Sequence, residues 1–134
     1  MTDNLALAGL RILVVDDDAD SLEAVAALME INGAEVRTAA NALEAQEVLH
    51  HFRADLIISD LAMPAGDGFE LIMGIRRLPP EEGGETPAIV LTATSDEFLR
   101  ARALAFGYQD YLLKPIDPAV LLGTVTSLIR GKGG

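Results

Sequence analysis

The chain has 134 residues and a formal net charge of −11, with 21 acidic against 10 basic side chains, and half of its residues are hydrophobic. That length and apolar content suit one domain with its own core, while the acidity disfavours direct contact with nucleic acid or an anionic membrane. With no cysteine, disulfides and thiolate metal sites are excluded, a composition compatible with a reducing cytoplasm, and no apolar run approaches the ~20 residues of a membrane span. Residues 1–10 carry a short apolar patch, Leu5 to Leu10, without a cationic leader and too short for a secretory signal; they are expected as a tail.

Arg11 to Val15 (RILVV) reads as a buried strand. Asp20 to Ile31 places Leu22, Val25, Ala26, Leu28 and Met29 at helical spacing, with Asp20 or Ser21 as cap and Gly33 as stop. Glu35 to Ala39 is a weaker strand, and Ala42 to His51 a second helix. Asp55 to Ser59 (DLIIS) is the third strand, followed by a loop over Pro64 to Gly68 that is rich in breakers of regular structure. Phe69 to Leu78 is predicted helical and is stopped by Pro79 and Pro80. An acidic glycine-bearing loop precedes the fourth strand, Ala88 to Thr92 (AIVLT). Asp96 to Phe106 forms a helix capped by Ser95 or Asp96 and closed by Gly107. Gln109 to Leu113 is the fifth strand, and Asp117 to Arg130 the last helix, with Pro118 in its first turn and Val120, Leu121, Val125 and Leu128 as its core stripe. Residues 11–130 thus read as one α/β domain, with 131–134 a second tail.

The helices are long enough to cross between parallel strands, and strands apolar throughout fit a sheet covered on both faces. The expected fold is a doubly wound five-stranded parallel sheet with five helices. Ligands of such sheets bind beyond the carboxyl ends of the strands. Strand one ends in Asp16 and Asp17, strand three in Asp60, strand four in Thr92 and strand five in Lys114; only strand two brings no polar or charged side chain there. Taken singly, an aspartate there is more often a turn former, a threonine a strand former and a lysine a surface residue. Their convergence on one rim is what needs a cause. Three crowded carboxylates repel one another, and a hard divalent cation with oxygen ligands relieves that repulsion, which suits Mg²⁺. Calcium would call for a denser ligand loop, and zinc for cysteine or better-placed histidine. A cation, an ammonium and a hydroxyl around a carboxylate make a setting for phosphoryl transfer to that carboxylate.

The segments ILVVDDD, LIISDLAMPAGDG, IVLTA and YLLKPID, in this order and spacing, resemble the receiver domain of bacterial response regulators, from Arg11 to about Ile129. The resemblance implies a flavodoxin-like strand order 2-1-3-4-5. It implies Asp60 as phosphoacceptor, and Asp16 and Asp17 as the acidic pair for Mg²⁺, with the Ala62 backbone carbonyl completing the metal shell. It further implies Thr92 as the switch hydroxyl, Lys114 as the phosphoryl-binding lysine before a cis proline, and Tyr111 as the aromatic that rotates inward. The implied function is a two-component phosphorelay module rather than an enzyme with a separate substrate, one that catalyses its own phosphorylation. Its implied partners are a histidine kinase or phosphotransfer protein and a protein effector at the face of the fourth helix, fifth strand and fifth helix, which many members also use to dimerise. The chain could stand alone or belong to a larger regulator or hybrid histidine kinase.

Two other readings compete. An aspartyl-phosphate phosphatase shares the nucleophile and Mg²⁺, but such enzymes need an acid–base aspartate two residues on, where this chain has Ala62. A degenerate receiver serving only as an interaction module is disfavoured by the intact Asp16, Asp17, Asp60, Thr92 and Lys114. His50 and His51 are expected to complement a helix dipole, Asp18 to hydrogen-bond locally, Asp67-Gly68 to lead into a helix, and Met63 and Met73 to pack.

Overall fold

The computed structural model describes residues 5–61 and 67–133. Five strands, β1 (Arg11–Val15), β2 (Glu35–Ala39), β3 (Leu56–Asp60), β4 (Ala88–Thr92) and β5 (Asp110–Leu113), alternate with α1 (Ala19–Ile31), α2 (Ala42–Leu49), α3 (Asp67–Arg76), α4 (Glu97–Phe106) and α5 (Pro118–Gly133). A 3-10 turn, Pro80–Glu82, occupies the acidic loop before β4. The strands pair in parallel in the order β2-β1-β3-β4-β5, the expected doubly wound architecture.

Alternation along the strands sorts the core into two layers. Leu13, Val15, Ile57, Ala88 and Val90 face α2, α3 and α4, where Ala45, Leu71, Ile72, Ile75 and Ala103 are buried. Ile12, Val14, Leu56, Ile58, Ile89 and Leu91 face α1 and α5, where Val25, Met29, Leu121 and Val125 are buried. Since β1, β3 and β4 are covered on both sides, every residue of β3 and β4 is buried, which is why their sequences are apolar without alternation.

Helix ends depart by one to three residues from the periodicity, most of all in α5, which runs on to Gly133 through residues expected as a tail. Asp18, rather than Asp20 or Ser21, caps α1 by accepting from the Ser21 N–H; residues 19 and 20 hold no large apolar side chain by which spacing could register the first turn. Asp96 caps α4 by accepting from the Phe98 N–H. Asn41 caps α2, and Glu44 reaches back to the Ala40 N–H. Helix α3 starts at Asp67 and stops at Arg76, two residues earlier than predicted at each end. In α5 Leu121 and Val125 are fully buried, but Val120 is 51% exposed. One residue turns a helix by about 100°, so the 121/125 line owns the core and Val120 falls outside it. Met73, expected to pack, is likewise 37% exposed, off the face that buries Leu71, Ile72 and Ile75.

Arg76 ties the far end of α3 to the neighbouring loops. Its guanidinium donates to the Gly107 carbonyl twice, to the Gly84 carbonyl and to the Gln109 side chain, and Gln109 in turn accepts from the Ala88 N–H while its own N–H binds the Ala88 carbonyl. Gly107 has φ +127°, and a Cβ there would lie 2.8 Å from Arg76 Nε. The loop into β5 is therefore closely fitted around the Arg76 side chain.

The segment expected as an N-terminal tail is packed against the domain. Leu7 is fully buried with Ile12, Met29 and Leu56. Its N–H donates to the Asn32 carbonyl, and the Leu10 N–H returns to the Leu7 carbonyl. Gly33, at φ +103°, lets this segment approach: a Cβ there would meet Leu5 Cβ at 2.9 Å and the Ala8 backbone at 3.0 Å. Length and hydropathy alone cannot tell an apolar tail from a latch; burial of one leucine, worth about 1.5–3 kcal/mol, decides it. Leu7→Ala should therefore lower the unfolding free energy in urea by about 2–4 kcal/mol, whereas a change under ~0.5 kcal/mol would mark a dispensable tail.

Candidate functional site

The registers bring four strand ends level. Val15 pairs with Ser59, Asp60 with Leu91, and Thr92 with Leu113, so Asp16, Asp60, Thr92 and Lys114 emerge at one edge of the sheet. Asp16 and Asp60 are 3% and 7% exposed, and Asp17 is exposed beside them. Their carboxylate oxygens lie within 4.8 Å of one another.

Lys114 balances this cluster. Its Nζ lies 2.9 Å from Asp16 Oδ2 and 3.5 Å from Asp60 Oδ2, with Ser21 Oγ also at 3.5 Å. Burial works against the ammonium charge, but the Asp16 hydrogen bond and the charges of Asp60 and Asp16 outweigh it and hold the Lys114 pKa above the ordinary lysine value. The other Asp16 oxygen, Oδ1, accepts from the Asp18 N–H at 2.9 Å, which fixes the carboxylate at the mouth of α1. Asp18 itself is pulled below the usual carboxylate range by hydrogen bonds from Ser21. The Lys114–Pro115 peptide bond is cis, as the resemblance implied, and the Lys114 N–H donates to the Thr92 carbonyl.

Thr92 and Tyr111 lie on the other side of this charge cluster. Thr92 is fully buried, and its Oγ1 accepts from the Thr94 N–H at 3.3 Å. Tyr111 is 9% exposed, packed with the α2–α4 layer, and its hydroxyl donates to the Thr94 carbonyl at 2.6 Å. Burial, with the charges of Asp96 and Glu97 behind it, pushes the Tyr111 pKa up. Both residues thus converge on Thr94, at the entrance to α4. Ala62 and Met63 lie outside the described residues. His50 and His51 sit at the end of α2, near the start of β3 and so at the opposite edge.

Three residues were given no place beside Asp60 from the sequence. Ser59 Oγ donates to the Asp60 carbonyl at 3.0 Å. Tyr108, 3% exposed, donates its hydroxyl to the Gly68 carbonyl at 2.7 Å across 40 positions of sequence. Gly68 is pressed against the backbone that follows β3: a Cβ there would lie 2.8 Å from both the Asp60 carbonyl oxygen and Leu61 Cα. The glycine was visible as a loop residue, but no local pattern connects it to Tyr108.

The model of the response regulator receiver domain matches residues 12–126. The chain belongs to the response regulator receiver family. Among its relatives is the uncharacterized 14.6 kDa protein in the sodA1 3′ region of Leptolyngbya boryana, 47% identical over 119 residues that make up 89% of each chain. The transcriptional regulatory protein PrrA of Mycobacterium tuberculosis is 36% identical over 92% of this chain and 51% of its own length; the chain spans about half of that regulator. Of solved structures, the receiver domain of the sensor histidine kinase PA1611 of Pseudomonas aeruginosa, with a magnesium ion coordinated in its active-site cleft, superposes with a TM-score of 0.80 at 31% identity, covering 91% of this chain and 98% of that one. Family membership makes the chain a signalling module of two-component systems. Among the described residues, no helix is long and apolar enough to cross a membrane.

The buried Tyr108 hydroxyl provides a pH signature. Burial, outweighing a lowering contribution from Ser59, pushes its pKa up to about 12 from the ordinary 10.0. Unfolded chains release this proton near pH 10 and the folded protein only near 12, so the stability it confers is whole below pH 10 and is lost as pH rises from about 10 to 12. Urea unfolding of wild type against Tyr108→Phe should show the difference constant from pH 6 to 9 and shifting against the wild type by roughly 2 kcal/mol across that alkaline window; a pH-independent difference up to pH 12 would contradict it.

Proposed function

We propose that the chain accepts a phosphoryl group on Asp60 from a histidine kinase or phosphotransfer protein and thereby switches a protein-binding face. The observation that carries this reading is the Lys114 ammonium seated on the buried Asp16 and Asp60 carboxylates, with Asp17 adjoining. The all-oxygen cluster of Asp16, Asp17 and Asp60 fits Mg²⁺, a hard cation that keeps several waters and needs few protein ligands. Those three carboxylates would hold the ion, with the Ala62 carbonyl as the further ligand that the family pattern implies. When bound, the ion supplies positive charge against the phosphoryl oxygens and offsets the carboxylates' mutual repulsion. The magnesium ion held by the similar PA1611 receiver domain supports this reading.

In the proposed step an Asp60 carboxylate oxygen attacks the phosphorus of a phosphohistidine or a small acyl phosphate. The new P–O bond to Asp60 forms as the donor's P–N or P–O bond breaks, and the electron pair leaves on the imidazole, which takes up a proton, or on the departing carboxylate. Lys114 neutralises oxygens that become more exposed to the site as transfer proceeds, a positioning and electrostatic role that phosphoryl transfer depends on. Asp16, held by the Asp18 N–H and by Lys114, keeps the lysine aimed at Asp60. The Thr92 hydroxyl is then drawn toward the new phosphoryl group and away from the Thr94 N–H. Because Thr92 and Tyr111 both bond to Thr94, that movement changes the seat of Tyr111 and shifts an equilibrium at the α4–β5–α5 face. Exposed Phe98, Leu113 and Val120 lie on these elements and would meet an effector or a second copy. A cytoplasmic setting follows from this role.

Acetyl phosphate with Mg²⁺ should give the wild type a single phosphoryl adduct by intact mass, absent without the cation and absent in Asp60→Asn. Lys114→Ala should slow its formation by about 100-fold. A folded wild type that takes no adduct from acetyl phosphate or from phosphorylated kinase would overturn the reading.

A further inference from the structure

The two ends of α3 are both fastened to the short junction between α4 and β5. At the C-terminal end, Arg76 binds the Gly107 carbonyl and the Gln109 side chain. At the N-terminal end, the very next residue of the junction, Tyr108, binds the Gly68 carbonyl. Gly68 and Arg76 are separated by about 12 Å of helix, so Arg76, reaching out from α3, and Tyr108, reaching back to it, fasten both ends of the helix to residues 107–109 in a lengthwise clasp. Residues 107 and 109 flanking Tyr108 are themselves held, by Arg76 and by the paired bonds of Gln109 to Ala88, which leaves the phenol little freedom to follow a moving loop.

What the clasp holds is the backbone of the acceptor. Gly68 touches the Asp60–Leu61 peptide so closely that no side chain fits between them. The Asp60 carbonyl also receives the Ser59 hydroxyl, and the Leu61 N–H is bound to the Leu91 carbonyl. We propose that Tyr108 is a positioning residue for Asp60: its hydroxyl pins Gly68, and Gly68 pins the peptide that sets the direction of the Asp60 side chain. This rests on Asp60 being the acceptor for its chemical consequence, though not for its mechanical one. The phenol is well suited to the task. It is buried, and its pKa near 12 keeps the donated proton in place throughout the physiological range. It also offers what an alanine or phenylalanine at this position lacks, a donor directed at the start of α3. A transition state that demands in-line approach is sensitive to small displacements of the nucleophile.

Tyr108→Phe removes the donor and keeps the ring. The mechanical test is amide hydrogen exchange of the unphosphorylated protein followed by NMR: exchange at Leu61 should rise about tenfold in Tyr108→Phe, with Ile58 in mid-strand unchanged. Tyr111→Phe, which removes the hydroxyl of the other tyrosine, should leave Leu61 as in the wild type. The chemical test is the rate of acetyl-phosphate labelling against donor concentration. The maximal rate should fall several-fold in Tyr108→Phe while the half-saturating concentration stays put, since the donor's own contacts are untouched. Equal Leu61 exchange in wild type and Tyr108→Phe would overturn the proposal, as would a rise of the same size in Tyr111→Phe or at Ile58, which would mark general loosening. Raised Leu61 exchange with an unchanged maximal rate would overturn the positioning role. A wild type that takes no phosphoryl group at all would instead sink the acceptor assignment, and the exchange result would still decide whether Tyr108 holds the peptide.

Discussion

One ammonium, that of Lys114, lies between two carboxylates that burial would otherwise make costly. Asp16 and Asp60 are nearly removed from solvent, and buried charge is tolerated only when it is paired and hydrogen-bonded. Lys114 follows β5, Asp60 ends β3 and Asp16 follows β1, so the pairing spans four adjacent strands of the sheet. It exists only if strand order and register are both correct. A slip of one residue in any of these strands would turn the side chain to the opposite face and leave an uncompensated charge in the interior. The charge cluster is thus both the candidate chemical site and a consequence of the whole topology.

Alternation along the strands also divides the site's labour. Asp60 follows Leu56 and Ile58, and Asp16 follows Ile12 and Val14, on the side covered by α1 and α5. Tyr111 packs with Val90 on the side covered by α2, α3 and α4. Charge is accordingly handled on one side of the sheet edge, and the candidate switch is packed on the other. Thr92 and Tyr111 meet at the Thr94 backbone, which opens the loop into α4. In the proposed function, a change in charge at Asp60 that draws on Thr92 would reach the entrance of α4 through these two hydrogen bonds to Thr94.

Much of this was legible in the chain because parallel strands covered on both faces must be apolar from end to end, as LIIS and AIVL are. Once those runs were placed, the rule that ligands sit beyond the carboxyl ends of strands located Asp16, Asp17, Asp60, Thr92 and Lys114 together. Helix termini were less visible, since Asp18 caps α1 through a hydrogen bond that hydropathy does not record. Leu7 and Tyr108 were not legible for a different reason. Their roles are contacts with residues distant in sequence, Asn32 and Gly68, and local composition looks the same whether a leucine or a tyrosine is buried or free. Val120 shows the converse: its spacing suited the core, yet its neighbour Leu121 took the buried position.

The assignment of Asp60 among three adjacent acids is settled most directly by trapping the acyl phosphate. Protein labelled with acetyl phosphate and Mg²⁺ would be reduced with borohydride, which converts a phosphorylated aspartate to homoserine, then digested and sequenced by mass spectrometry. Homoserine at position 60 alone is the result that the proposed acceptor role predicts, a role that the receiver pattern around LIISDLAMP gives to Asp60 and not to the equally buried, lysine-paired Asp16. Homoserine at position 16 or 17, or none in protein that carries the adduct, would contradict it.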